Sequence, residues 1–298
     1  MSNTFASLKR NAKTNLEKLT QELTKLQSNQ TNANNGPDER LWKPTVDKAG
    51  NGQAIIRFLP APKDEDMPFV RVWDHGFQGP GGWYIEKSLT TLGEPDPVSE
   101  LNTKLWNSGI ESDKDLVRKQ KRRLHYYSNI YVISDPGNPD NEGKVFLYQY
   151  GKKIFDKITD MMNPAFEDEE SVNPFDFWAG ANFKLRIRQV EGYRNYDKSE
   201  FTSPSPLSAD DEELERVWSQ QHSLKEFLDR KNFKTYDELK SRLDKALGLV
   251  ATVPKPQAQR ATEAAPPWDD NDRTSVTSTS SADDEDDDVS FFKKLASD

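Results

Sequence analysis

Between Leu41 and Tyr196 the chain is written as short apolar runs of period two, and nothing else in it restricts the fold as much. Phe183-Lys184-Leu185-Arg186-Ile187-Arg188 alternates three apolar residues with three cations, the pattern of a strand with one dry face and one wet face. Gln53-Ala54-Ile55-Ile56-Arg57-Phe58-Leu59 stops at Pro60, and Phe69-Val70-Arg71-Val72-Trp73 follows. Gly81-Gly82 ahead of Trp83-Tyr84-Ile85-Glu86 reads as a hairpin. Tyr126 to Ile133 and Val145 to Tyr150 are further strands, and one amphipathic helix is marked by Ile154, Phe155, Ile158, Met161 and Met162. Short antiparallel strands with one interposed helix predict a mainly β, α+β chain whose core is a small closed barrel, an OB-fold.

The flanks differ in kind. In residues 1–30, Leu16, Leu19, Leu23 and Leu26 form a narrow helical stripe, and Thr14 with Glu17 fits a capping box. Lys9, Arg10 and Lys13 sit near the start of that helix, where the dipole disfavours positive charge. They read either as a contact for an anionic target or as solvated lysines and arginine. A linker from Asn29 to Arg40 follows, so the stripe needs a partner surface, on its own domain or on a neighbouring copy. Residues 204–248 read as largely helical, with capping boxes at Ser223/Glu226 and Thr235/Glu238 and a face of Leu239, Leu243 and Leu247. After Gly248, prolines and a Ser/Thr-rich stretch predict disorder. The expected organisation is a basic arm over 1–30, a core with an accessory lobe and helices over 31–248, and an acidic tail over 249–298.

Composition removes several function classes. The chain has 298 residues and no cysteine, which excludes disulfides, thiolate metal sites and a cysteine nucleophile. No apolar run approaches the roughly 20 residues of a membrane span, and the N-terminus lacks the apolar region of a secretion signal. A soluble intracellular protein is expected. The net charge of −9 is unevenly spread: residues 250–298 hold 11 acids and 5 bases, leaving 39 acids and 36 bases elsewhere. The tail carries Asp283, Asp284, Glu285, Asp286, Asp287 and Asp288, then Phe291 and Phe292. Six adjacent acids stay extended, and the apolar pair after them reads as a docking hook for partner proteins.

Cations elsewhere cluster beside aromatic rings. Arg118, Lys119, Lys121, Arg122 and Arg123 lead through Leu124 and His125 into Tyr126 and Tyr127. Phe146, Tyr148 and Tyr150 share a strand face just before Gly151-Lys152-Lys153, and Tyr193 and Tyr196 flank Arg194. Cations neutralise phosphates and rings stack on unpaired bases, so these segments read as a groove for single-stranded nucleic acid. Core packing with solvated neighbours is the competing reading of each segment alone. Catalysis finds no support. His75, His125 and His222 are far apart in sequence, and no Walker loop, G-x-S-x-G or H-x-x-x-H is present. Asp156 with Asp160, and Glu167 to Glu170, read as solvated acids.

Specific strings add a resemblance. Asp47-Lys48-Ala49-Gly50-Asn51-Gly52 running into Gln53 to Pro60, His75-Gly76-Phe77, Trp83 to Glu86, Asn141-Glu142-Gly143-Lys144-Val145-Phe146, Gly151 to Ile158, Gly180-Ala181-Asn182-Phe183 and Asn195-Tyr196-Asp197 resemble, in this order, the single-stranded DNA-binding, helix-destabilising proteins of T-even-type bacteriophages. The resemblance implies an OB-fold core that coats single-stranded DNA without sequence preference during replication, recombination and repair in the host cytoplasm. It implies that Tyr126, Tyr127, Tyr148 and Tyr196 face DNA and that Lys121, Arg122 and Arg123 form the core's basic motif. It assigns Lys9, Arg10 and Lys13 to cooperative self-assembly. The acidic tail then recruits replication and recombination proteins, such as a polymerase, helicase loader, primase or recombinase.

One departure is large. That family holds a structural zinc with one His and three Cys. His75 matches the histidine, but Ser88, Val98 and Leu101 stand at the cysteine positions, and Val and Leu cannot bind zinc. No zinc and no other cofactor is expected, with Leu89, Leu92, Val98 and Leu101 filling that lobe. Two rival functions remain from the residues alone: an OB-fold protein-interaction adaptor that does not touch DNA, and a carboxylate-dependent nuclease.

Overall fold

One long strand organises the sheet. The computed structural model describes residues 38–166 and 168–249, so the arm with Lys9, Arg10 and Lys13, and the tail with Asp283 to Asp288, Phe291 and Phe292, lie outside the described residues. The chain divides into two units, Met1–Leu41 and Trp42–Asp298. In the first, Arg40 pairs with Asp38.

The strands are β1 (Leu41–Trp42), β2 (Gly52–Phe58), β3 (Phe69–Gly79), β4 (Gly82–Lys87), β5 (Arg123–Ser134), β6 (Val145–Tyr150), β7 (Phe183–Val190), β8 (Tyr193–Asn195) and β9 (Glu200–Phe201). Their order is β1-β6-β5-β2-β7-β8, with β3 added on β5, β4 on β3 and β9 on β7. The pairings among β2 to β9 are antiparallel. β5 is twelve residues long, and its length serves three partners. One edge takes β3 over Arg123 to Ser128 and then β2 over Ile130 to Ser134, while the other takes β6 over Tyr126 to Tyr131. The sheet does not close among the described residues, which corrects the expected closed barrel. Each end of the strand order stops at a short strand instead of meeting the other.

The principal core gathers the apolar faces of these strands. Ile56, Phe58, Ile130, Val132, Phe183 and Leu185 are buried in it with Tyr126, Tyr148 and Tyr150. Helix α3 (Lys152–Met162) closes one side through Ile154 and Ile158, both buried, one turn apart on one helix face. Each such aliphatic side chain contributes about 1.5–3 kcal/mol on burial.

Two helices occupy a stretch to which no element was assigned from sequence: α1 (Pro97–Asn107) and α2 (Glu111–Gln120). Asp96 starts α1 by accepting from the Val98 and Ser99 amides, with Pro97 at the first helical position. Helix α2 has no side-chain cap, but Glu111 and Asp113 in its first turn and Arg118 and Lys119 in its last complement the dipole. The first residues of the basic run are therefore helical.

A second core lies under β4. Phe77, Tyr84, Leu89, Val98, Phe233, Leu239 and Leu243 are buried together, with Leu92 and Leu101 against them. Two further α-helices are α4 (Asp211–Ser219) and α5 (Tyr236–Ala246). The end of α5 rests on the β3–β4 hairpin, where a Cβ on Gly81 would lie 1.8 Å from the Lys245 carbonyl oxygen. Only glycine permits that approach. The Thr235/Glu238 capping box forms. The one expected at Ser223/Glu226 does not, because Ser223 Oγ donates to Glu65 Oε1 at 2.7 Å and the 3-10 turn that follows has no side-chain cap.

Candidate nucleic-acid interface

The basic run leaves α2 at Gln120 and enters β5 at Arg123. Lys121 turns the chain from helical to extended, with ψ 145°. Lys119 and Lys121 are exposed. Arg118 is held by acids of its own helix, 2.9 Å from Glu111 and 2.6 Å from Asp115, an arrangement that leaves part of its charge spent. Arg122 places its guanidinium carbon 4.0 Å from the centroid of the Trp73 ring, a cation–π distance. Arg123 Nε lies 3.4 Å from Asp74 Oδ1, and His125 Nε2 lies 2.8 Å from Asp74 Oδ2. Burial opposes ionisation of Asp74, but the hydrogen bond and charge of His125, with Arg123, outweigh it and hold the carboxyl below its ordinary value.

Two residues not singled out from sequence complete this surface. Phe69, Arg71 and Trp73 alternate along β3 onto one face, and Arg71 and Trp73 sit opposite Tyr126 and Leu124 of β5. Arg71 is exposed, and Trp73 is half-buried. The signal was in the string Phe69-Val70-Arg71-Val72-Trp73, where a cation and an indole share the period-two phase. The structure thus brings Arg71, Trp73, Lys121 and Arg122 together.

Tyr126 and Tyr148 are 5% and 3% exposed, with their rings turned to the interior in this structure. Tyr126 stacks on Phe155 with centroids 3.9 Å apart and on Tyr150 at 5.7 Å, and Tyr148 stacks on Tyr150 at 5.5 Å. Their alternation faces the core, where a large ring buries the most apolar area. Tyr127 points to the opposite side and stacks on Phe227 at 4.2 Å. Tyr196 is half-buried and packs against the principal core.

The remaining expected cations are partly engaged. Lys152 Nζ lies 3.1 Å from Asp156 Oδ2 in the first turn of α3, and Lys153 beside it is exposed. On the outward face of β7, Arg186 pairs with Glu200 at 3.4 Å and Arg188 pairs with Asp197. Exposed pairs of this kind contribute little stability and exchange readily for another anion.

The residues do not fit the zinc of the resemblance. Ser88 is buried with its Oγ 2.9 Å from Thr90 Oγ1, and Val98 is buried among apolar side chains. Both nitrogens of the buried His75 face protein groups: Nδ1 donates to the Gln120 carbonyl at 3.0 Å, and Nε2 lies 3.2 Å from Asp96 Oδ1. Among the described residues no group of three or more His, Cys, Asp or Glu is arranged to hold a metal ion. No described helix is long and apolar enough to cross a membrane.

Cations beside a half-buried indole on an antiparallel sheet are the features of a nucleic-acid-binding class of protein. The comparisons agree and narrow it: the chain belongs to the family described as gp32 DNA binding protein like, which matches residues 50–247. It is 41% identical over 221 residues to the single-stranded DNA-binding protein of Enterobacteria phage T2, covering 72% of each chain. It is 39% identical over 246 residues to the protein of the same name from Enterobacteria phage T4, covering 80% of each.

Proposed function

We propose that this chain coats single-stranded DNA cooperatively and without sequence preference during phage replication, recombination and repair in the host cytoplasm. The observation that carries this reading is the cluster of Arg71, Trp73, Lys121 and Arg122, where β3 meets the turn into β5, in a chain of this family. Lys119, Lys121, Arg71 and Arg122 track the phosphate backbone, and Trp73, already sandwiched on one face by Arg122, offers its indole to a base. Lys152 and Lys153 extend the cationic track. Tyr126 lies on the same sheet face as Arg71 and packs beside this surface. No bond is made or broken, so the chain is not an enzyme. Lys9, Arg10 and Lys13 join neighbouring copies, and Asp283 to Asp288 with Phe291 and Phe292 recruit replication and recombination proteins.

Intrinsic fluorescence quenching against single- and double-stranded oligomers at two salt concentrations tests the reading. Quenching by single strands is expected, with affinity falling steeply as salt rises. In an Arg71→Ala/Arg122→Ala chain the slope of log K against log salt should drop by about 1.4, since each phosphate contact on a single strand contributes about 0.7. Equal affinity for duplex, or an unchanged slope in the double variant, would overturn it. The chain also acts without zinc. Metal analysis of the purified protein should find no stoichiometric metal, and a chelator should leave DNA binding unchanged.

A further inference from the structure

Three consecutive residues of β3 hold the basic turn. Trp73 lies under Arg122, Asp74 faces Arg123 and His125, and His75 reaches back to Gln120. The last contact is the least expected, because it buries an imidazole, 1% exposed, against a main-chain carbonyl. Gln120 is the final residue of α2, and the last carbonyls of a helix have no partner inside it. This one has two donors, His75 Nδ1 at 3.0 Å and Asn102 Nδ2 at 3.3 Å. His75 is itself held from behind. Its Nε2 lies 3.2 Å from Asp96 Oδ1, and the Asp96 carboxylate accepts from the amides of Leu89, Val98 and Ser99. Contacts therefore run from the backbone of residues 89–99 to Asp96, across a 3.2 Å approach to His75 Nε2, and by the Nδ1 hydrogen bond to the carbonyl directly before Lys121.

We infer that His75 is a positioning residue for DNA binding: its bond to the Gln120 carbonyl fixes where α2 ends and so aims Lys121 and Arg122 along the face of β3. This deepens the single-stranded DNA reading and rests on it. The geometry is a two-point clamp. His75 and Trp73 are two apart on one strand and share a face. They hold residues 120 and 122, also two apart, so the intervening Lys121 has its direction set from both sides. Buried polar groups without partners cost stability, which accounts for why Asp96 and Asn102 complete the chain. It does not account for why the helix end they secure is the one preceding the cations; positioning does.

The full-length chain tests this in four forms: wild type, His75→Ala, His75→Asn and His75→Gln. An asparagine amide takes the place of Nδ1 and keeps a donor for Gln120, whereas a glutamine amide takes the place of Nε2. The measurements are affinity for a single-stranded oligomer across a salt series, unfolding midpoint, and hydrogen exchange at the amides of residues 121–123. His75→Ala should bind about fivefold more weakly, the loss of one net hydrogen bond, and lose about 0.7 to 1.4 of salt slope, one or two phosphate contacts. Exchange at 121–123 should rise while β2 and β7 stay protected. His75→Asn should return to within about twofold of wild type. A His75→Ala chain with a lowered midpoint but unchanged slope and unchanged exchange at 121–123 would overturn the inference. Should His75→Ala not fold, equal behaviour of the Asn and Gln chains would overturn it, and restoration by Asn alone would support it. Exchange at 121–123 is read without DNA. A wild-type chain that binds no single strand thus counts against the preceding reading, while the exchange result still decides this one.

Discussion

Arg57 is fully buried near the end of β2, beside Ile56 and Phe58. A guanidinium there is costly unless every donor is used. Its Nε donates to Asn182 Oδ1 at 2.9 Å, and its terminal nitrogens donate to the carbonyls of Asp176 and Ser205. Burial pushes its pKa down to about 10, with the charge of Asp176 pulling the other way. Arg57→Met would leave three half-buried acceptors without these donors, at up to roughly 1–3 kcal/mol each. We expect it to destabilise the chain by about 3 kcal/mol or more, read from urea unfolding. A loss below about 1 kcal/mol would mean that water reaches the acceptors. The cation was visible in sequence as an interruption of an apolar run, but its partners are 119 to 148 residues away, so nothing local named them. The burial of Tyr126 and Tyr148 was equally illegible. A tyrosine beside a lysine or arginine reads the same whether its ring faces a base or Phe155, and only the phase of β5 and β6 against the rest of the sheet decides.

Elements were legible where periodicity was strict and hidden where capping alone defined them. β4 and β7 follow their alternation closely, and α3 follows its apolar face. Helices α1 and α2 were not seen, because Asp96-Pro97 was not weighed as a start signal and α2 exposes most of its length. The two capping boxes read from the sequence make a paired test. At Thr235 the side chain accepts from the Glu238 amide and the Glu238 carboxylate returns to the Thr235 amide at 2.8 Å, so Thr235→Ala should cost about 1 kcal/mol. At Ser223 the hydroxyl donates to Glu65 Oε1 instead, so Ser223→Ala and Glu65→Ala should be non-additive in urea unfolding. Additive losses would contradict the structure.

Helices α5 and α1 are also tied by Tyr236, whose hydroxyl donates to Glu100 at 2.7 Å. That hydrogen bond, with burial and the charge of Glu100 behind it, raises the phenol to about 12. The bond requires the protonated phenol, so its contribution is complete below about pH 10 and is lost as pH rises toward 12. Unfolding followed from pH 9 to 12 should show a smaller alkaline loss in Tyr236→Phe than in wild type. Identical profiles would remove the phenol from the linkage.

At the scale of the whole molecule, charge is separated along the chain instead of balanced within it. The body through residue 249 has 36 bases against 39 acids, and the last 49 residues have 5 against 11. A net −9 would repel a polyanion if it were spread evenly. Concentrated in the last 49 residues, it leaves the remaining 249 near balance, at −3. In the proposed function the tail competes with DNA for the cations of β3, α2 and the turn into β5. Removing residues 282–298 takes away seven acids and two lysines and moves the net charge from −9 to −4. The truncated chain should bind single-stranded DNA at least as tightly as the full chain, with the larger gain at low salt, where screening is weakest. It should also lose capture of replication proteins. Oligomer titrations at 50 and 200 mM salt, with a pull-down of a replication extract, read both effects. Loss of DNA binding on truncation would show that the tail supports the interface instead of opposing it.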